Sequence, residues 1–168
     1  MTAWHERSME ERNLLNPAFC AMLLWHAARG YAKENKDLMP IEWSFLVLPL
    51  VLPLSTRVKL LEERDMSLSE WCDKCSAYLD GFGKRAKLLC SHTREALVFG
   101  GLHGLLDVSQ GGIGAKGPRD RKKSVHGILR DRTSNDVRDC AKCAKFLGEL
   151  FIRTRNPARV MHLLGVQS

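Results

Sequence analysis

Two Cys-x-x-Cys pairs, Cys72-Asp-Lys-Cys75 and Cys140-Ala-Lys-Cys143, are the residues in this sequence best suited to metal chemistry. Four thiolates in such pairs can bind zinc tetrahedrally. However, 64 residues separate Cys75 from Cys140, whereas zinc sites of this type use roughly 15 to 20. Both pairs also lie in helical patterns, where a spacing of three places both thiols on one face. We therefore expect buried structural cysteines and no metal site, with a zinc-binding protein as an alternative.

The glycine-rich segment and the histidines form no catalytic motif. Gly112-Ile-Gly-Ala-Lys-Gly117 resembles a phosphate-binding loop only in composition. A Walker loop needs Gly-Lys followed by Ser or Thr, whereas here Gly117 is followed by Pro118. None of the six histidines forms a His-Glu-x-x-His motif, and no Gly-x-Ser-x-Gly elbow is present. The histidines are His5, His26, His92, His103, His126 and His162.

A basic segment between Lys116 and Arg132 is the most informative local feature. It carries +5 of the net charge of +7, and it contains no aromatic residue. Clustered cations without aromatic side chains favour contact with a phosphate backbone over stacking on bases. A solvated loop that only improves solubility is the alternative. The candidate nucleic-acid-binding residues are Lys116, Arg119, Arg121, Lys122, Lys123 and Arg130.

The elements that must position these residues begin with three predicted helices. Asn16-Pro17 is typical of a helix N-terminus, with asparagine as the cap and proline at the first position. The apolar spacing that follows continues to Tyr31 and covers much of the helix circumference, which predicts packing on more than one side. Pro40 predicts a second helix, which Pro49 can kink. Ser55-Thr56-Arg57 begins a third, and residues 14–64 are compatible with a helix-turn-helix-like unit.

The middle of the chain predicts three further short helices. Ser67 and Glu70 have the spacing of a capping box, so a helix should run to about Leu79. A short basic helix is expected from Lys84 to Cys90. Ser91 or Thr93 can cap the next helix, which carries apolar residues as far as Leu105.

A β-hairpin is predicted next, because Gly111-Gly112 stands between two short segments. Helical patterns return from Thr133 to Arg153 and again after Asn156-Pro157, where Gly165 should end the last helix. The expected fold is mainly α with a small β-hairpin, compact and winged-helix-like, with one such unit or two in tandem. We expect residues 1–168 to form a single compact unit, with 14–64 and 67–168 as sub-units.

Composition favours a globular cytoplasmic protein that does not contact a membrane. The chain has 168 residues with 45% hydrophobic residues, enough for one domain with a real core. The longest apolar run, Phe45 to Leu54, is ten residues long and holds two prolines, whereas a membrane helix needs about 20 apolar residues. Charged residues occupy the start of the chain where a signal peptide would be apolar. We therefore expect reduced cysteines.

Three stretches resemble a known family. They are Asn13-Leu-Leu-Asn-Pro-Ala-Phe-Cys-Ala-Met-Leu-Leu24, Phe45-Leu-Val-Leu-Pro-Leu-Val-Leu-Pro53 with Thr56-Arg57, and Leu164-Gly-Val166. In this order, and along nearly the whole chain, they resemble the middle component of three-component ABC ATPase systems of the Lamassu type, which are bacterial anti-phage defences. The cysteine pairs and the basic segment depart from that pattern.

The resemblance implies an accessory subunit that connects an SMC- or Rad50-like ATPase with an effector, typically a nuclease, in a complex that senses foreign DNA. The sequence then predicts a non-enzymatic adaptor without a cofactor, whose basic segment lies near DNA. The alternative is a stand-alone winged-helix transcription regulator, which should dimerise and read bases with a polar recognition helix. The segment from Thr93 to Leu105 is too apolar and too rich in glycine for that helix.

Overall fold

Helices and one hairpin make up the part of the chain that the computed structural model describes, residues 15–35, 37–117, 135–154 and 157–165. The mainly α class with a small hairpin is confirmed, while the winged-helix likeness and the two sub-units stay predictions. The elements are α1 (Pro17–Asn35), α2 (Ile41–Val51), α3 (Leu54–Glu62), α4 (Leu68–Lys74), a 3₁₀ turn (Ser76–Leu79), α5 (Phe82–Leu102), β1 (Leu106–Ser109), β2 (Gly112–Ala115), α6 (Asn135–Arg153) and α7 (Pro157–Leu163).

Helix α1 forms the centre of the core. The side chain of Asn16 accepts a hydrogen bond from the backbone N–H of Ala18 at 2.8 Å, so the predicted cap is present. All nine residues from Cys20 to Ala28 are buried. The reason is that α1 packs against α2, α5, α6 and the hairpin at once. The predicted packing on more than one side is therefore confirmed.

Two glycines allow α1 and α6 to cross with their backbones in contact. A Cβ atom at Gly30 would overlap the carbonyl oxygen of Lys145, and a Cβ atom at Gly148 would overlap that of Ala27. The same added atom at Gly148 would lie 2.7 Å from the backbone nitrogen of Tyr31. Because these neighbours are backbone atoms that cannot rotate away, a larger residue would push the helices apart.

The bend between α2 and α3 lies beyond the proline that was expected to kink the chain. Pro40 precedes α2 as predicted, and α2 continues through Pro49 to Val51. The axes of α2 and α3 then differ by 104°. Leu52 and Pro53 make this bend, and α3 begins at the next residue. In the described residues no single helix is long and apolar enough to span a membrane, and this bent pair meets that test by length and composition alone.

Arg57 connects this bend to the start of α6. Its side chain is buried, and Nη1 donates to the carbonyl oxygens of Val51 at 2.8 Å and Leu52 at 3.0 Å. Nη2 donates to the carboxylate of Asp136 in the first turn of α6. A helix end leaves carbonyl groups without intrahelical partners, so this guanidinium satisfies two of them inside the protein.

The middle of the chain differs from prediction in two places. The capping box of Ser67 and Glu70 is present, but α4 ends at Lys74 and a 3₁₀ turn covers Ser76–Leu79. The predicted pair of helices from Lys84 to Leu105 is wrong, because α5 is one continuous helix, Phe82–Leu102. Thr93 does not cap a helix. It is buried, and its hydroxyl donates to the carbonyl oxygen of Leu89 one turn earlier at 3.1 Å.

The hairpin is antiparallel, as predicted, and it packs on the end of α5. Ser109 pairs with Gly112, so the turn is Gln110-Gly111 and lies one residue before the expected Gly111-Gly112. Gly112 is extended with a positive φ of 133°, a conformation that favours glycine. At the far end of the chain α7 ends as predicted, before Gly165 with a φ of 65°.

Candidate protein-interaction surfaces

The cysteine pairs lie in the interior of the fold. Cys72, Cys75, Cys140 and Cys143 are all buried. Burial, more than any neighbouring charge, raises the pKa of Cys72 and of Cys143 to about 12. Burial of this kind is typical of unreactive structural cysteines that pack in a core. Within the described part of the chain, no three His, Cys, Asp or Glu side chains come together as a possible metal site.

Lys116 is the one predicted nucleic-acid-binding residue that lies within the described ranges. Its side chain is exposed and forms an ion pair with Asp107 of β1 at 3.0 Å. Its carbonyl oxygen accepts a hydrogen bond from the indole nitrogen of Trp25 at 2.6 Å, which attaches this end of the basic segment to α1. The other predicted residues fall outside the residues that the structure describes: Arg119, Arg121, Lys122, Lys123 and Arg130.

Helix α5 carries a large exposed apolar surface. Leu88, Val98 and Leu102 are 72%, 61% and 81% exposed. At 100° per residue they fall within about 80° of one another around the helix axis, so they form one stripe. Val108 of β1 is also exposed and lies beside Gly101 at the end of this stripe. Val98, Leu102 and Val108 therefore lie together at one end of the stripe, and grouped exposed apolar residues mark interaction sites more often than single ones do.

The same side of α5 holds three cations for which the described residues supply no partner. Among those residues, Lys84, Lys87 and Arg94 are exposed and form no ion pair, hydrogen bond or aromatic contact. Every other lysine or arginine whose side chain is described has a charged, hydrogen-bonding or aromatic neighbour. We call the exposed side of α5 the α5 face. Its members are Lys84, Lys87, Leu88, Ser91, Arg94, Val98, Gly101 and Leu102.

A second exposed surface lies on α3. Leu54 and Val58 are one helical turn apart, and Tyr78 of the 3₁₀ turn stands next to them across a groove of about 600 Å³. Leu54 is 64% exposed. Lys59 in this α3 groove is paired with Glu62 and Glu63, so its charge is balanced within the chain. The groove is therefore apolar with neutralised charge, whereas the α5 face is apolar with unbalanced positive charge.

Sequence reasoning did not find either surface, although part of the signal was present. Lys84 and Lys87 marked a short basic helix, but its continuation through Val98 and Leu102 was hidden by Ser91 and Thr93, which resemble helix caps. Leu54 ended the longest apolar run, which typically forms core, and Val58 belonged to a predicted short helix with no expected role. Which apolar residues are exposed depends on tertiary packing, which periodicity alone does not specify.

Comparison with known proteins identifies a family for this chain. No curated protein and no solved structure matches it. The family match runs from residue 4 to residue 168 and so includes the α5 face and the α3 groove. That family is described as the ABC-three component (ABC-3C) system Middle Component 3, and this chain belongs to it as a middle component of an ABC-3C system.

Proposed function

We propose that this chain is a non-enzymatic adaptor that joins an SMC- or Rad50-like ATPase to an effector nuclease in a Lamassu-type ABC-3C defence complex. The observation that carries the proposal is the presence of two exposed apolar surfaces, the α5 face and the α3 groove, in a chain that belongs to a three-component system. An adaptor needs one surface for each partner. The two surfaces here lie on different helices and differ in charge.

The absence of a nucleotide-binding motif from the sequence supports the non-enzymatic part of the proposal. Gly112 to Gly117 does not have the Gly-Lys-Ser/Thr order of a Walker loop, and in the fold its first residues form β2. A chain without this motif would leave ATP hydrolysis to the ATPase component. DNA contact would then be shared, with the basic segment adding to a binding surface of the assembled complex.

Co-expression of the chain with the ATPase and effector components of its system tests the adaptor role. A tagged chain should copurify with both partners, and omission of the chain should separate them. The purified chain alone should neither hydrolyse ATP nor cleave DNA. Failure of the tagged chain to bind either component would contradict the proposal. So would an ATPase or nuclease activity that follows the chain through purification and is lost on a point mutation.

The α3 groove gives this test a surface variant. Replacing Leu54 and Val58 with Asp puts two charges where an apolar partner would pack, so one component should be lost from the complex while the other stays bound. The matched control adds the same two charges at Asn135 and Ala158, which are exposed and outside both surfaces. Circular dichroism should show that both variants are folded, because exposed substitutions change stability by about 0.5 kcal/mol or less.

A further inference from the structure

The exposed residues of α5 follow the spacing of a helix-on-helix contact. Lys84, Lys87, Ser91, Arg94, Val98 and Gly101 alternate at intervals of three and four, and all are exposed. Intervals of three and four keep side chains on one side of an α-helix, as in coiled coils. From Lys84 to Gly101 the α5 face is about 26 Å long at 1.5 Å per residue. A partner helix of about 18 residues would match this length.

The distribution of charge on the α5 face identifies the kind of partner. Lys84, Lys87 and Arg94 form no ion pair with a carboxylate of the described residues. The single carboxylate of α5, Glu95, is half-buried, and at 100° per residue it projects between Leu88 and Leu102. Its charge adds to the larger effect of burial that raises the pKa of Cys20 to about 12. One half-buried carboxylate beside three exposed cations leaves the face with a net positive charge, and a partner with Asp and Glu residues would compensate it.

We propose that the α5 face binds an amphipathic helix of a partner component, whose carboxylates lie opposite Lys84, Lys87 and Arg94 and whose apolar residues cover Val98 and Leu102. This inference rests on the proposed adaptor function and names the chemistry of one of its two contacts. Ser91 and Gly101 are small and allow the partner helix to approach closely. Val108 extends the apolar end of the contact onto the hairpin.

Other occupants fit the α5 face less well. A second copy of the chain would bring three more unpaired cations and no exposed carboxylate of its α5. A lipid surface favours a continuous apolar side with cations at its margins, whereas Ser91 and Arg94 separate Leu88 from Val98. Phosphates of DNA would pair with the cations but would leave Val98 and Leu102 exposed. An acidic amphipathic helix satisfies both the charges and the apolar residues.

Charge reversal on the α5 face tests the proposal in the co-expressed complex. In the triple variant Lys84→Glu, Lys87→Glu, Arg94→Glu, carboxylates would oppose carboxylates, so affinity for one component should fall about tenfold or more. The control reverses Lys74, Lys142 and Lys145, three exposed lysines on other helices, and changes the net charge equally. The control should weaken binding by less than about threefold. Added salt should weaken binding of the unmodified chain, because it screens opposite charges.

A photo-crosslinking residue in place of Ser91 identifies what covers the face. The expected crosslink joins this residue to a partner peptide that has Asp or Glu residues at intervals of three and four. A crosslink to a second copy of this chain, or to a peptide without carboxylates, would overturn the proposal. The proposal would also be overturned if the unmodified chain bound phosphatidylglycerol vesicles or a DNA duplex, the triple variant lost that binding, and the triple variant still bound the component as tightly as before.

The two proposals fail in different ways. If the unmodified chain binds no component, the adaptor function is wrong and this inference is wrong with it. If the complex forms and the triple variant binds as tightly as the control variant, the adaptor function stands and the α5 face is not the interface. Thermal unfolding of each variant, measured beside the binding, distinguishes a weakened interface from an unfolded chain.

Discussion

Gly30 of α1 and Gly148 of α6 lie at the same helix crossing, each against the backbone of the opposite helix. An alanine at Gly148 would collide with the carbonyl oxygen of Ala27, so the helices would have to separate. We expect Gly148→Ala to lower the free energy of unfolding by about 1 to 3 kcal/mol, even though alanine favours helix formation. Urea denaturation of the purified chain measures this difference.

Gly101 provides the matched control for this prediction. It also lies in a helix, but a Cβ atom there would be 3.8 Å from a methyl carbon of Val108, an ordinary contact. Gly101→Ala should therefore be neutral or raise stability by up to about 1 kcal/mol, because alanine has the higher helix propensity. Equal destabilisation in the two variants would show that the close crossing does not determine the stability of the fold.

Removal of the Arg57 side chain should be among the more damaging single changes. Arg57→Met would keep an apolar chain in the interior but leave the carbonyl oxygens of Val51 and Leu52 without their donor. We expect a decrease of about 2 to 4 kcal/mol in the free energy of unfolding. Because the Asp136 side chain is 59% exposed, Asp136→Asn should cost about 1 kcal/mol or less. Denaturation curves that show the reverse order would assign the main role to the ion pair.

Sequence reasoning found helix ends whose signals are local. Asn16 caps α1 through the backbone two residues away, and Ser67 and Glu70 bond within one turn. Such contacts need no information from distant parts of the chain. Positions set by tertiary packing were missed. Thr93 has the right type for a cap, yet it lies buried inside α5, a helix that packs against α1 and α2.

The candidate surfaces were harder to predict than the fold. The stripe from Leu88 to Leu102 is exposed because α5 turns the opposite side, with Ala96 and Gly100, towards the core. Before the neighbours of α5 are known, both sides of the helix contain apolar residues, so periodicity does not decide which side is buried. The cations could be found in the sequence, but whether they are paired depends on the positions of distant carboxylates.

The buried thiols predict a decrease in stability at high pH. Burial raises the pKa of Cys20, Cys72 and Cys143 from an ordinary value of 9.0 to about 12. Above pH 9 the unfolded chain releases these protons while the folded chain keeps them, so folded stability falls as pH rises. Each thiol should contribute about 1.4 kcal/mol per pH unit in this range. Urea denaturation between neutral pH and pH 10 measures this decrease. The free energy of unfolding of the double variant Cys72→Ala, Cys143→Ala should fall less steeply with pH than that of the unmodified chain.

Metal analysis tests the structural role of the cysteine pairs. Since the two pairs are buried and no three His, Cys, Asp or Glu side chains of the described residues come together as a metal site, protein purified without chelator should contain well under one zinc per chain. Mass spectrometry of the metal content measures this ratio. A stoichiometric zinc signal that disappears, together with the folded state, when Cys72 and Cys143 are replaced by Ser would favour the zinc-binding alternative.

The basic segment predicts binding to DNA that depends on salt and not on sequence. If Arg121, Lys122 and Lys123 bind phosphates, their replacement by Ala should lower the DNA affinity of the assembled complex. The slope of log affinity against log salt should flatten by about 0.9 for each phosphate that the variant no longer neutralises. Replacement of Lys74, Lys142 and Lys145 by Ala removes the same charge from other helices and should leave the slope unchanged.

Asp107 gives the same prediction an independent variant inside the described structure. Its carboxylate pairs with Lys116 at 3.0 Å, so part of the positive charge at the start of the basic segment is neutralised in the folded chain. Asp107→Asn frees this lysine for a phosphate and should raise DNA affinity and steepen the salt slope by up to about 0.9. DNA binding of the assembled complex measured across a salt series gives both quantities. If the slope responds neither to Asp107→Asn nor to the triple alanine variant, the basic segment is a solvated surface and DNA is held elsewhere in the complex.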